Sequence, residues 1–178
     1  MKWIAISGSW RKTTNEIEKK IRNIVREIMI RGDGIVSGGA LGVDFIALDE
    51  ALKSDPKAER IKIFLPTISE VYVAHYRKHV LLGTITKEQA ENLISQLAEL
   101  KQINPKALIE NPNINFTEDT KKRMYYERNS TIVDASDELV AFRVKTEKSK
   151  GMGTADTVEK AHQKGIPVKV FQYDLTKE

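Results

Sequence analysis

Short continuous apolar runs alternate along this chain with longer stretches in which apolar positions return every three or four residues. The first pattern is that of a strand buried on both faces, the second that of an amphipathic helix. Trp3-Ile4-Ala5-Ile6 predicts a strand over Lys2 to Ser7 that opens into the turn Ser7-Gly8-Ser9. Thr13, with Glu16 three residues on, has the form of a capping box. Ile17, Ile21, Ile24, Val25 and Ile28 then share one helix face, which leaves Lys19, Lys20, Arg22 and Arg26 to solvent. Arg31-Gly32-Asp33-Gly34 is a glycine stop. A very short second strand, Gly34 to Ser37, leads into a helix carrying Phe45, Ile46, Leu48, Ala51 and Leu52, which ends at Ser54-Asp55-Pro56. Arg60 to Pro66 is a third strand closed by proline. This β-α-β-α-β order with short connections predicts a parallel sheet with right-handed crossovers.

From Thr67 to about Thr120 the rhythm breaks. Thr86-Lys87-Glu88-Gln89 is a capping box before a helix with Ala90, Leu93, Ile94, Leu97 and Ala98 on one stripe; Asn104-Pro105 ends it, and Asn111 to Asn115 is rich in turn residues. The segment reads as a helical insertion over the edge or mouth of the sheet: a lid, a dimer surface or a packed appendage. The rhythm then returns. Lys121 to Ala135 predicts a helix with Met124, Ile132 and Val133 inward, and Asp137 to Phe142 a fourth strand that ends in the charged loop Arg143 to Lys150. Thr154 caps a helix through Val158, Ala161 and His162, Lys164-Gly165 stops it, and Pro167 to Phe171 is the last strand. The expected architecture is a three-layer α/β/α fold with a mainly parallel sheet and one helical insertion.

Composition narrows the chemistry. The 178 residues include no cysteine, which excludes disulfides and thiolate catalysis. The three histidines, His75, His79 and His162, form no metal motif: Tyr76 follows His75 where H-E-x-x-H requires Glu. A net charge of +4 leans toward anionic ligands without establishing nucleic-acid binding. No apolar run approaches the roughly 20 residues of a membrane span. Met1 to Ser7 lacks the apolar length of a signal peptide, so the cytoplasm is the expected location and no membrane partner is expected.

The stretch with the most chemistry is Ile35-Val36-Ser37-Gly38-Gly39-Ala40-Leu41-Gly42-Val43-Asp44, a strand, a glycine-rich turn and a helix start. Such a junction receives phosphate through unpaired helix N–H groups, although its spacing is that of neither the dinucleotide fingerprint nor the P-loop. Two further loops, Ser7-Gly8-Ser9-Trp10-Arg11 and Gly151-Met152-Gly153-Thr154, also run from strand ends into helices. In an open parallel sheet these ends line the ligand crevice. Gly8, Gly38, Gly39, Gly42, Gly151 and Gly153 offer backbone groups, Ser9, Ser37 and Thr154 hydroxyls, and Arg11 and Arg128 charge, a set suited to phosphate. Asp44 suits a ribose hydroxyl, a capping role or a bond to a loop N–H; Trp10 and Phe45 could each stack on a base or belong to the core.

The run Val36 to Asp44 resembles the Ser-Gly-x-Ala-x-Gly-[Ile/Val]-Asp motif of DNA processing protein A (DprA/Smf). Arg128-Asn129, with Ile132-Val133 and Ser136-Asp137 after it, is similar to that family's Arg-Asn-Arg-Ile-Ile segment, and Gly153-Thr154-Ala155 loosely to its glycine-rich stretch. The wider group is the SLOG superfamily, which includes the LOG-type, lysine-decarboxylase-like phosphoribohydrolases and molybdenum-cofactor-carrier-like proteins. The resemblance covers about Lys2 to Leu65 and Lys121 to Phe171. It implies one Rossmann-like domain over 1–178, with the insertion at about 67–120. LOG-type enzymes carry Pro-Gly-Gly-x-Gly-Thr-x-x-Glu, whereas Thr157 stands here at the Glu position.

Three readings follow. The first is a nucleotide-binding protein that holds an AMP-like or ADP-ribose-like ligand at Gly8, Ser9, Arg11, Ser37, Gly38, Gly39, Gly42, Asp44, Arg128, Asn129, Gly151, Gly153 and Thr154, with no catalytic residue identified. The second is an N-glycosidic hydrolase of nucleoside monophosphates, which would take its carboxylate from Asp44, Asp156 or Glu159. The third is a binder of single-stranded DNA, as the resemblance implies. Its basic surface would be Lys121, Lys122, Arg123, Arg128, Lys145, Lys148 and Lys150, with Tyr125 or Tyr126 stacking on bases. A homo-oligomer is compatible with all three.

Overall fold

The computed structural model describes residues 1–177. Thirteen elements follow in order: β1 (Trp3–Gly8), α1 (Asn15–Ile30), β2 (Gly34–Gly38), α2 (Val43–Ser54), β3 (Ile61–Leu65), α3 (Ser69–Leu81), α4 (Lys87–Ile103), a 3-10 turn (Pro105–Ala107), β4 (Leu108–Glu110), α5 (Lys121–Asp134), β5 (Glu138–Lys145), α6 (Met152–Lys164) and β6 (Val168–Asp174). The six strands form one sheet in the order β4-β3-β2-β1-β5-β6, with every pairing parallel. The chain winds outward from β1 to β4, then returns to place β5 on the other side of β1. The order therefore reverses between β1 and β5, and the loops after these two strands flank the crevice.

Strand alternation separates two cores. Ile4 and Ile6 of β1, Ile35 of β2, and Ile61, Ile63 and Leu65 of β3 face α1, α2 and α4, where Ile17, Ile21, Val25, Leu48, Leu93 and Leu97 close over them. Ala5, Val36, Leu139 and Ala141 face the opposite way and meet Ile132, Val133 and Ala161 of α5 and α6. Small residues on this second face let the two helices approach closely. Helices change faces where the winding direction changes, as right-handed crossovers require.

The structure departs from the sequence reading in five places. The N-cap of α1 is Thr14, whose hydroxyl accepts from the Ile17 N–H, so the Thr13–Glu16 capping box does not form. Arg22 and Arg26 are not simply solvated: they cross to α2, Arg22 pairing with Asp49 at 2.6 Å and Arg26 with the buried Glu50 at 2.9 Å. The 67–120 segment contributes α3 and α4 and also β4, which pairs with β3 as an edge strand of the sheet. The fourth sheet strand of the reading extends through Lys145, which puts Arg143 in β5 rather than in a loop. Finally, α6 starts at Met152 with Gly151 as N-cap, so Thr154 is a buried first-turn residue and not the cap. The Thr86–Gln89 capping box forms in both directions. Lys164 closes the glycine-free C-terminus of α5 by donating to the carbonyls of Val133, Asp134 and Ser136.

Candidate functional site

The glycines of the first two loops are required by contact. A Cβ on Gly8 would lie 2.5 Å from the Val43 side chain and 2.8 Å from the Phe142 carbonyl. Gly42 has φ +72°, and a Cβ there would sit 2.2 Å from the Ser9 carbonyl, which accepts the Val43 N–H at 3.0 Å. The start of α2 is thereby fastened to the loop after β1. A Cβ on Gly39 would meet Leu65 at 2.4 Å, so this glycine lets the turn lie on the core.

Beneath the turn is a buried polar knot. Ser37 Oγ lies 2.8 Å from the Ile6 carbonyl and 3.0 Å from Asp44 Oδ1, and Asp44 Oδ2 accepts the Ala40 N–H at 3.3 Å. Of the roles open to Asp44, the structure shows the bond to a loop N–H. Burial pushes its carboxyl up to about 7, against the opposing effects of Arg128, Ser37 and the Ala40 amide. Ser37 has a single hydroxyl proton. That proton can go to the Ile6 carbonyl or to Asp44 Oδ1, and burial rather than Ser37 is what raises the Asp44 carboxyl.

Above the knot lies Arg128 of α5. A Cβ built on Gly38 would be 2.5 Å from Arg128 Nη1 and 2.8 Å from Asp44 Oδ2, so the guanidinium rests on the glycine beside the buried carboxyl. It also lies over Tyr125, with Cζ 5.1 Å from the ring centre. Nη2 donates to Asn129 Oδ1 at 3.3 Å, while Nε and Nη1 are buried and have no partner. Asn129 Nδ2 in turn donates to the Gly153 carbonyl at 3.4 Å and to Asp156 at 3.1 Å. The pair Arg128-Asn129 thus joins the second loop to the third. At the third loop Gly151 is left-handed, with φ +66°. Arg143 from β5 lies against it, and its Nε is likewise buried without a partner. Gly153 has open space around its Cα, so its packing does not demand glycine.

Gly8, Ser9, Ser37, Gly38, Gly39, Gly42, Asp44, Arg128, Asn129, Gly151, Gly153 and Thr154 all fall at this one edge of the sheet. Arg11 is exposed and stacks on Trp10, with Cζ 4.8 Å from the ring centre. Trp10 itself packs edge-on to Tyr76 and against His79, and Phe45 packs against the core. The larger surprise is a wall of rings that the sequence reading missed. Tyr72, His75, Tyr76 and His79 of α3 meet Trp10, Phe116 and Tyr125. The Tyr76 hydroxyl accepts the Leu41 N–H at 3.4 Å, so this wall supports the second loop. His75 and His79 approach Nε2 to Nε2 at 3.1 Å, which requires one proton between them. Burial and the neighbouring His79 lower His75 to about 4. The signal was present in the i,i+4 pairs Tyr72/Tyr76 and His75/His79. Among the described residues, no cluster of three or more His, Asp or Glu residues forms a metal-ligand set, and no helix is long and apolar enough to cross a membrane.

Comparison with known proteins supports the fold. DNA processing protein A from Helicobacter pylori, described with a single-stranded DNA binding mode, superposes with a TM-score of 0.64 at 23% identity, over 98% of this chain and 66% of its own. DprA from Streptococcus pneumoniae gives 0.59 at 17% identity, over 99% of this chain and 52% of its own. A molybdenum cofactor binding protein from Rippkaea orientalis gives 0.57 at 17% identity, over 98% and 78%. At these identities the likeness is one of fold, and the chain spans about two thirds and about half of the two DprA proteins. No curated protein matches its sequence. The model of the family described as DNA recombination-mediator protein A matches residues 1–178, the whole length, and the chain belongs to that family.

Proposed function

We propose that the C-terminal edge of the sheet binds the phosphate of a nucleotide, and that single-stranded DNA presents it. The observation that carries this reading is Arg128, whose Nη1 rests on Gly38 and whose Nε and Nη1 are both buried without an acceptor. Unpaired guanidinium donors are costly to bury, and a phosphate oxygen would accept one of them in a charge-assisted bond. Arg143 offers a further unpaired Nε beside Gly151, across the crevice. Family membership and the strand-binding relative from Helicobacter pylori support DNA as the carrier of that phosphate.

The N-glycosidic hydrolase reading has less support. Thr157 stands where those enzymes place Glu, and its hydroxyl is engaged with the Gly153 carbonyl. Asp156 is paired with Lys160 at 2.7 Å, and Asp44 is buried beneath the turn.

The test is fluorescence anisotropy with labelled oligo-dT, in competition with AMP and ADP-ribose. Arg128→Ala should weaken the oligomer by tenfold or more, and Arg128→Lys should restore only part of the loss, since ammonium lacks the fork. Affinity should fall with salt in proportion to the phosphates engaged. Direct binding of AMP at micromolar concentration by calorimetry, with no binding of oligo-dT, would redirect the reading to a free nucleotide. Binding unchanged in Arg128→Ala would refute the site.

A further inference from the structure

We propose that the outer face of Tyr126 is a nucleobase-stacking subsite on the same strand whose phosphate sits at Arg128; this rests on the strand-binding reading above. Tyr125 and Arg128 face the sheet edge from one side of α5. Tyr126, two residues before Arg128, lies on the other side, toward α6. An open, shallow depression lies over Tyr126, lined mainly by α5 with Lys160 of α6 at its border. Lys122 Nζ lies 5.7 Å and Lys160 Nζ 5.2 Å from the centre of its ring.

The platform is held in place. Lys160 donates to the Tyr126 carbonyl at 2.8 Å and to Asp156 at 2.7 Å. Asp156 accepts from Asn129, and Asn129 accepts from Arg128. One continuous polar chain therefore connects the Tyr126 platform with the phosphate site. The two faces are separated by about the 10–12 Å width of a helix, a span that a short length of extended strand covers.

The groups on the rim identify the occupant. Lys122 has no carboxylate partner among the described residues, and Arg123 is exposed and only loosely paired with Glu127, at 3.6 Å. These two cations can receive a backbone phosphate. Asp119 and Glu127 also line the depression. Carboxylates repel a lone phosphate, but they accept hydrogen bonds from ring N–H and exocyclic amino groups. An aromatic floor bordered by both cations and hydrogen-bond acceptors fits a base carried on a phosphodiester. It does not fit an isolated anion.

The experiment measures anisotropy with the whole protein against two oligomers of equal length, oligo-dT and an abasic strand. Tyr126→Ala should weaken oligo-dT by about tenfold, the usual size of one base–aromatic stack. It should leave the abasic strand unchanged, and Tyr126→Phe should bind as wild type. Lys122→Ala should lower both strands and reduce the slope of log affinity against log salt by about one. Circular dichroism melts confirm that each variant folds. Equal loss on both oligomers in Tyr126→Ala would make the ring a structural element and overturn the proposal, as would no loss on either. If Arg128→Ala weakens binding and Tyr126→Ala does not, the subsite fails while the strand reading stands. If the wild type binds neither oligomer, the strand reading fails and takes the subsite with it.

Discussion

Asp44 concentrates the chemistry of the site in one buried carboxyl. Its folded value of about 7 lies above the ordinary aspartate value of about 4. The folded state therefore binds its proton more tightly than the unfolded chain does. The resulting stability is complete below pH about 4 and is lost as pH rises to about 7. Asp44→Asn keeps an acceptor for the Ala40 N–H and a donor for Ser37, so it should fold and lose that slope, worth a few kcal/mol across the window. Urea denaturation at several pH values measures it, and a slope unchanged in the variant would contradict the assignment. The glycines separate in the same way. Gly42→Ala meets the Ser9 carbonyl at positive φ and should cost more than about 2 kcal/mol. Gly153→Ala enters open space in the first turn of α6 and should be neutral or stabilising by up to about 1 kcal/mol. The sequence presents both positions as equal members of a phosphate cradle; only the backbone geometry distinguishes them.

Helix α3 is the element the sequence concealed. Its inward side carries Tyr72 and Tyr76, and its C-terminal end carries Leu81 and Leu82 exposed, so apolar periodicity is weak where the helix is well formed. β4 is only three residues long and gives no alternation to read. By contrast α1 and α4 declare themselves through sustained stripes of Ile or Leu, although Thr13 and Thr14 compete for the N-cap and the spacing alone selects the wrong one. The function of α3 is to hold rings against the second loop, and its histidines make that contact sensitive to acid. His75 is lowered from the ordinary 6.5 to about 4 by burial and by His79, with Lys121 and Lys78 acting the same way and Glu118 against. The unfolded chain takes up this proton first. The stability is therefore complete above pH about 6.5 and lost as pH falls toward 4. Between these limits His75 and Asp44 act in opposite directions, and the wild-type curve should be flatter than either contribution. His75→Phe keeps a ring among Tyr72, Phe116 and Tyr125 and should leave a protein that gains stability on acidification from pH 6.5 to 5. A stability that falls on acidification in that range would show that His75 is not the acid-sensitive group of this contact.

At the scale of the whole molecule, the reversal between β1 and β5 determines where the three loops meet. The β-α-β rhythm of the first 66 residues and of residues 121–171 was enough to infer a parallel sheet and a ligand edge. The placing of Arg128 over Gly38 was not, because α5 reaches that turn from the opposite face of the sheet. Residues more than 80 positions apart become neighbours only through the winding. This layout makes a distributed prediction. The central strand β2 is buried throughout and β1 through its middle, while β4 and β6 are edges. Amide exchange in the free protein should be slowest in β1 and β2 and faster at both edges. Saturating oligo-dT should add protection in 8–13, 38–42 and 150–154 and in the first half of α5, all at the C-terminal edge. The turn Gly32-Asp33 and the C-terminus of α1 lie at the other edge and should not change. Protection confined to that opposite edge would locate the strand away from the glycine loops, and no arrangement of Arg128 over Gly38 could then explain the binding.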